Sequence, residues 1–162
     1  MEQVIVNMGF LKMLFTSFFC GSIIGIERQL KGRPAGIRTS SLVCLGTASF
    51  VYLGSAHGYE PEFAIRVVSA IISGVGFLGA GVILNLRGHV RGVTSAAVIW
   101  SLASIGCYIG LGQYAEGIVI SMIVLFLLVV VQAIESYVER LRIGMYDHDI
   151  LNNTGSFNEE SN

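Results

Sequence analysis

Three charged residues stand at the ends of long apolar runs, Glu27, Arg28 and Arg38, and a fourth, Lys12, stands inside one. A charge facing hydrocarbon is costly, so such a residue is paired, snorkels out or serves a function. Glu27 and Arg28 follow directly on GSIIGI, and Arg38 with Thr39 opens the next run. A glutamate there, among several arginines, is expected to be ion-paired. Glu27, Arg28 and Arg38 are therefore read as one polar cluster at the membrane edge, set against the glycine face of the third run. Lys31, Arg33 and Arg87 fit an anchoring role, with their stems snorkelling to headgroups. Lys12 lies about 12 Å beyond Val4 along a helix, and Arg66 about one turn inside its own run. These two are the candidates for intramembrane charge, with Glu60, Glu62 and Glu116 as the acids on that side.

Other chemistry is poorly supported. The only aspartates, Asp147 and Asp149, lie near the C-terminus, and His57, His89 and His148 lie in loops or that tail. No serine–histidine arrangement or intramembrane aspartyl pair emerges, and no catalytic residue is assigned. No run carries a carboxylate near its midpoint, so a dedicated Mg2+ cage of carboxylates and waters is hard to build, and neither metal nor cofactor is expected. Cys20, Cys44 and Cys107 each sit in apolar sequence without Cys-x-x-Cys spacing, as buried small hydrophobes do. The run GVGFLGAG, Gly74 to Gly81, contains G-x-G-x-x-G. A dinucleotide fingerprint needs a preceding strand and a βαβ unit, whereas this run is embedded in uncharged apolar sequence. Small residues let helix backbones approach closely in lipid. On that ground Gly74, Gly76, Gly79 and Gly81, and the pairs Gly21 with Gly25 and Gly106 with Gly110, are packing positions, within the chain or between copies. Glycines at Gly74–Gly81 also permit a local helix break that would expose backbone groups to an ion.

These residues must be positioned by membrane helices. Of 162 residues, 53% are hydrophobic and 13% charged, with mean hydropathy +0.70, against about 25% charged in soluble domains. Net charge is −1, which leaves no basic footprint for nucleic acid. A membrane helix needs about 20 apolar residues. An apolar stretch of 18 residues runs from Thr39 to the residue before His57, and uncharged stretches of 20, 24 and 18 residues begin at Val67, Gly92 and Gly117. The first run, from Val4, is broken only by Lys12. It has no basic residue ahead of its core, unlike a cleaved signal. Such runs are too long for barrel strands and do not alternate. The expected fold is all-α: a polytopic transmembrane bundle of five helices over about 4–26, 39–57, 64–86, 93–112 and 115–136, forming one domain, 1–142. Residues 143–162 form a short polar tail expected to be disordered. Eight of the ten Lys and Arg fall on one set of faces and one on the other, placing the N-terminus outside and the C-terminus in the cytoplasm. The N-x-T at Asn152 then lies on the cytoplasmic side.

Four blocks carry a family resemblance: GSIIGIERQ (Gly21–Gln29) with AGIRTSSLV (Ala35–Val43), then VSAIISGVGFLGAGVIL (Val68–Leu84), then VRGVTSAAVIWSLASIG (Val90–Gly106). In order and spacing they resemble the MgtC/SapB family over roughly the first 135 residues. The resemblance implies a bacterial inner-membrane protein of four or five spans, linked to growth in low Mg2+ or stress adaptation. It implies a regulatory or accessory role through contacts with other membrane proteins, the lipid bilayer or further copies of itself; a small ion transporter or channel is the alternative. The motif positions are Gly21, Gly25, Glu27, Arg28, Gln29, Gly36, Arg38 and Thr39, then Gly74, Gly76, Gly79, Gly81, Arg91, Gly92, Thr94, Ala96, Ala97 and Trp100. Two departures are mild: RGLTTAA in the family reads RGVTSAA here, with Val93 and Ser95. A third is larger. Many members carry a folded cytoplasmic C-terminal domain, where only a short tail follows Leu141.

Overall fold

In lipid every backbone amide needs an internal partner, and a helix supplies one within a single segment. The computed structural model describes residues 8–55, 61–86 and 89–155, and five helices account for most of them. They are α1 (Met8–Leu30), α2 (Ile37–Ser55), α3 (Pro61–Gly81), α4 (Val93–Gly110) and α5 (Tyr114–Gly155). Four have a stretch long and apolar enough to cross a bilayer: Met8–Leu30, Ala64–Gly81, Val93–Gly110 and Tyr114–Val131. The expectation of five helices stands, and α2 is the one outside that criterion.

Polar residues set α2 apart. It carries Thr39, Ser40, Ser41, Thr47, Ser49 and Ser55 along with Arg38. Its hydroxyls are satisfied locally: Ser40 Oγ donates to Ala35 O at 2.8 Å, Thr47 Oγ1 to Val43 O at 2.7 Å and Ser49 Oγ to Leu45 O at 2.8 Å. The Ser41 and Ser22 hydroxyls meet at 2.9 Å, joining α2 to α1. A helix this polar is stable in an apolar setting because its own carbonyls and a neighbouring helix take up its donors.

The chain divides into two units, 1–125 and 126–162. In the first, α2 packs on both α1 and α4, and α3 packs on α4 and more sparsely on α2. Met13, Ile24, Cys44, Ala48, Leu102 and Ile105 are among its buried side chains, and Ala35, Val75, Ile99 and Ala103 form a second apolar cluster. The second unit continues α5, where Phe126, Leu127, Ile134 and Tyr137 are exposed and Leu128 and Val130 half-buried. Helix α5 runs on to Gly155, so the segment expected to be a disordered tail from 143 begins as helix; residues 156–162 lie outside the described residues.

Two short strands depart from the all-helical expectation. The third run was expected to be helical over 64–86, but α3 ends at Gly81. Val82 and Ile83 close it with three-residue hydrogen bonds to Gly79 O (3.3 Å) and Ala80 O (3.1 Å). Beyond them β1 (Leu84–Leu86) pairs antiparallel with β2 (His89–Arg91), Leu84 opposite Arg91. Counting uncharged residues cannot separate the last helical turn from a strand that continues in the same apolar sequence. Apart from the extension of α5 to Gly155, the other boundaries shift by a few residues: α1 extends four beyond 26, and positions 4–7 and 56–57 of the expected spans lie outside the described residues.

Candidate functional site

The polar end of α1 is built by its C-cap. Gly32 takes the left-handed conformation (φ 59°), which costs glycine nothing. Its N–H donates to Gln29 O at 3.1 Å and the Arg33 N–H to Arg28 O at 2.9 Å. This is the Schellman pattern, and Pro34 follows, where a helix could not continue. Gln29 Oε1 reaches over the turn to accept from the Ile37 N–H at 3.3 Å, capping α2. The start of α4 is set by Gly92 at φ 92°, where a Cβ would collide with the Val82 carbonyl oxygen. The turns after α1 and before α4 thus bring the last turn of one helix to the first turn of the other.

At that junction two charged side chains are buried, Glu27 at 7% exposure and Arg28 at 3%. Arg28 Nη2 donates to Ser95 Oγ at 2.7 Å, a contact across 67 positions of sequence. Lys31 Nζ lies 2.8 Å from Glu27 Oε1, one turn along α1. Beyond that ion pair, Glu27 Oε2 and Arg28 Nε have no hydrogen-bond partner among the described residues. Burying a charge leaves a large desolvation cost unless it is paired and hydrogen-bonded. The junction therefore holds a half-satisfied polar set: strongly fixed by one short charge-assisted bond, and still able to accept at the carboxylate and donate at Nε.

The expected cluster is only partly assembled here. Glu27 and Arg28 are in it. Arg38 and Thr39 are exposed, and among the described residues no ion pair joins Arg38 to Glu27. Lys31, read from sequence as an anchor, fills that place, and Ser95 was noted only as a departure from a motif. Thr94 beside it is exposed, and the Arg91 side chain lies outside the described residues. A signal for Lys31 was available: it is four residues after Glu27, the helical spacing for an ion pair. Nothing local to Ser95 marked it, since its partner comes from α1.

The packing glycines divide sharply. A Cβ on Gly21 would lie 2.7 Å from Ser40 O, on Gly25 2.6 Å from Ile37 Cα, on Gly106 2.6 Å from Cys44 O and on Gly110 2.6 Å from Ala48 O. These four hold α2 against α1 and α4. On α3 a Cβ at Gly79 would make ordinary contact with Ala96 Cβ at 3.6 Å, while at Gly74, Gly76 and Gly81 it would meet nothing within 4 Å. Within the chain, α3's glycine face is thus largely open and the polar junction rests against α4. Lys12 is exposed, and Arg66 pairs with Glu62 at 3.9 Å, both exposed, a geometry that contributes little. The three cysteines are free, and no group of three His, Cys, Asp or Glu converges among the described residues.

A bundle of apolar helices with small-residue crossings and polar groups at its helix ends defines a multi-pass membrane protein. Residues 14–137 match the MgtC family, and the chain belongs to that family. It is 38% identical over 125 residues to Protein MgtC of Salmonella typhimurium, covering 77% of this chain and 53% of the relative. An uncharacterized protein of Synechocystis is 36% identical over the same length, again 77% and 53%. Protein MgtC of Brucella abortus is 38% identical over 109 residues, 67% of this chain and 45% of the relative. The chain spans about half the length of the curated relatives it matches. No solved structure matches it.

Proposed function

We propose that this chain is a regulatory or accessory protein of the bacterial inner membrane, linked to Mg2+ homeostasis or stress adaptation, acting by helix-to-helix contact with other membrane proteins. The link to Mg2+ rests on the family. The mode of action rests on one observation: α3 presents Gly76 and Gly81 beside the exposed Phe77 and Leu78, with open space where a Cβ would stand. Helix contacts in lipid use such small residues because close backbone approach maximises van der Waals contact. The buried Glu27–Arg28–Ser95 junction fixes α1 against α4 and keeps the bundle in register for that contact. In this reading the basic loops face the cytoplasm, the N-terminus faces outside, and the chain is not an enzyme.

The test is growth of a strain lacking the gene in low Mg2+, complemented by wild type, Glu27→Ala or Gly76→Leu. Rescue by wild type alone is expected, with all three proteins at equal membrane levels. Full rescue by both variants would defeat the reading, and a deletion without any Mg2+-dependent defect would remove the Mg2+ link. The competing reading, a small transporter or channel, requires saturable flux in liposomes that Lys12→Met abolishes.

A further inference from the structure

Between α2 and α3 runs a groove of about 880 Å3. Thr39, Gly46 and Leu53 mark its length on α2, and Val67, Gly74 and Leu78 mark it on α3. From Thr39 to Leu53 it extends about 21 Å at 1.5 Å per residue, some two-thirds of a hydrocarbon core of about 30 Å. The lining is apolar or glycine apart from two threonines. One of them, Thr47, already gives its hydroxyl to Val43 O at 2.7 Å. The interior therefore asks for no hydrogen bond, and its occupant is hydrocarbon. Both walls are open at the glycines, since a Cβ at Gly46 or Gly74 would meet nothing within 4 Å.

One end of the groove is charged. Arg38 precedes Thr39 and stands four residues before Leu42, which also lines the groove; helical spacing puts it on that face. It is exposed, and no ion pair involves it among the described residues. Its side chain leans toward the start of α2, as helical side chains do, away from the groove's apolar length. A guanidinium in that position matches a phosphate, which it binds through paired donors. We propose that the groove is a phospholipid site: one acyl chain lies between α2 and α3, and the phosphate of an anionic glycerophospholipid sits at Arg38. A helix from a second copy fits the charge less well. Copies inserted in the same sense carry their Arg38 residues at the same depth, and the nearby acid, Glu27, is buried and paired with Lys31. The groove and the proposed partner contact at Gly76 and Gly81 share only Leu78, and the variants that test the groove, at Gly46 and Gly74, leave Gly76 and Gly81 in place.

The test is native mass spectrometry of the full chain released from detergent, titrated with phosphatidylglycerol, with diacylglycerol of the same chains, or with inorganic phosphate. Wild type should retain phosphatidylglycerol at concentrations where diacylglycerol is not held, and inorganic phosphate should not displace it. Arg38→Gln should weaken retention roughly tenfold, the scale of one charge-assisted bond. Gly46→Leu and Gly74→Leu should each abolish it with the thermal midpoint unchanged, because the new side chain fills empty space. Retention by both leucine variants overturns the site. Displacement by inorganic phosphate reduces it to an anion site without a chain. A lipid-free dimer that either leucine variant converts to monomer assigns the groove to a second copy.

Discussion

Ser95 offers one hydroxyl to a buried guanidinium, and much of the junction's stability rests on that bond. Ser95→Ala leaves Arg28 Nη2 without its partner at 2.7 Å. The expected loss is about 1.5–3 kcal/mol, the range for a hydrogen bond to a buried charge, read as a lower thermal midpoint in detergent. Arg38→Ala should leave the same midpoint unchanged, since Arg38 is exposed and outside the junction. Equal effects from the two would mean that Arg38 belongs to the cluster after all. Both residues stand in recognisable sequence blocks, yet their roles diverge because burial, which sequence position does not reveal, turns a hydroxyl into an obligatory partner.

At the scale of elements, the glycines sort the helices into a tightly crossed set and a loosely held one. Gly25 and Gly106 sit where a Cβ would come within 2.6 Å of backbone on α2, and backbone cannot move aside without parting the helices. Gly25→Val and Gly106→Val should each cost about 1–3 kcal/mol or more through overpacking, visible as reduced yield of monodisperse protein. Gly76→Val should be tolerated, because nothing lies within 4 Å of its Cβ position. All three are glycines in similar apolar sequence. The close backbone approaches fall at the G-x-x-x-G pairs Gly21 with Gly25 and Gly106 with Gly110, whereas a Cβ at Gly74, Gly76 or Gly81 in the denser glycine run of α3 would meet nothing within 4 Å.

For the whole molecule, the basic residues predict a topology that labelling can decide. Pro34 and Gln113 are exposed in the turns after α1 and α4. With the N-terminus outside, Gln113→Cys should react with a membrane-impermeant thiol reagent on intact cells. Pro34→Cys should react only after permeabilisation. Cys20 and Cys44 are buried and should contribute little background. The reverse pattern would invert the orientation.

Sequence alone determined the solvent of this protein and its helix count. Hydrophobic composition and run length are sums over neighbouring residues, and lipid leaves an unbroken apolar run little choice but a helix. The family blocks were legible for the same reason, being local strings. Only the tertiary structure decided which charges are buried, that Lys31 rather than Arg38 pairs with Glu27, and that Ser95 receives Arg28 across the fold. It also decided where α3 gives way to paired strands, and which glycines touch backbone and which face open space. Those outcomes depend on which helix faces arrive opposite one another, and facing surfaces are properties of packing that no local window of sequence contains.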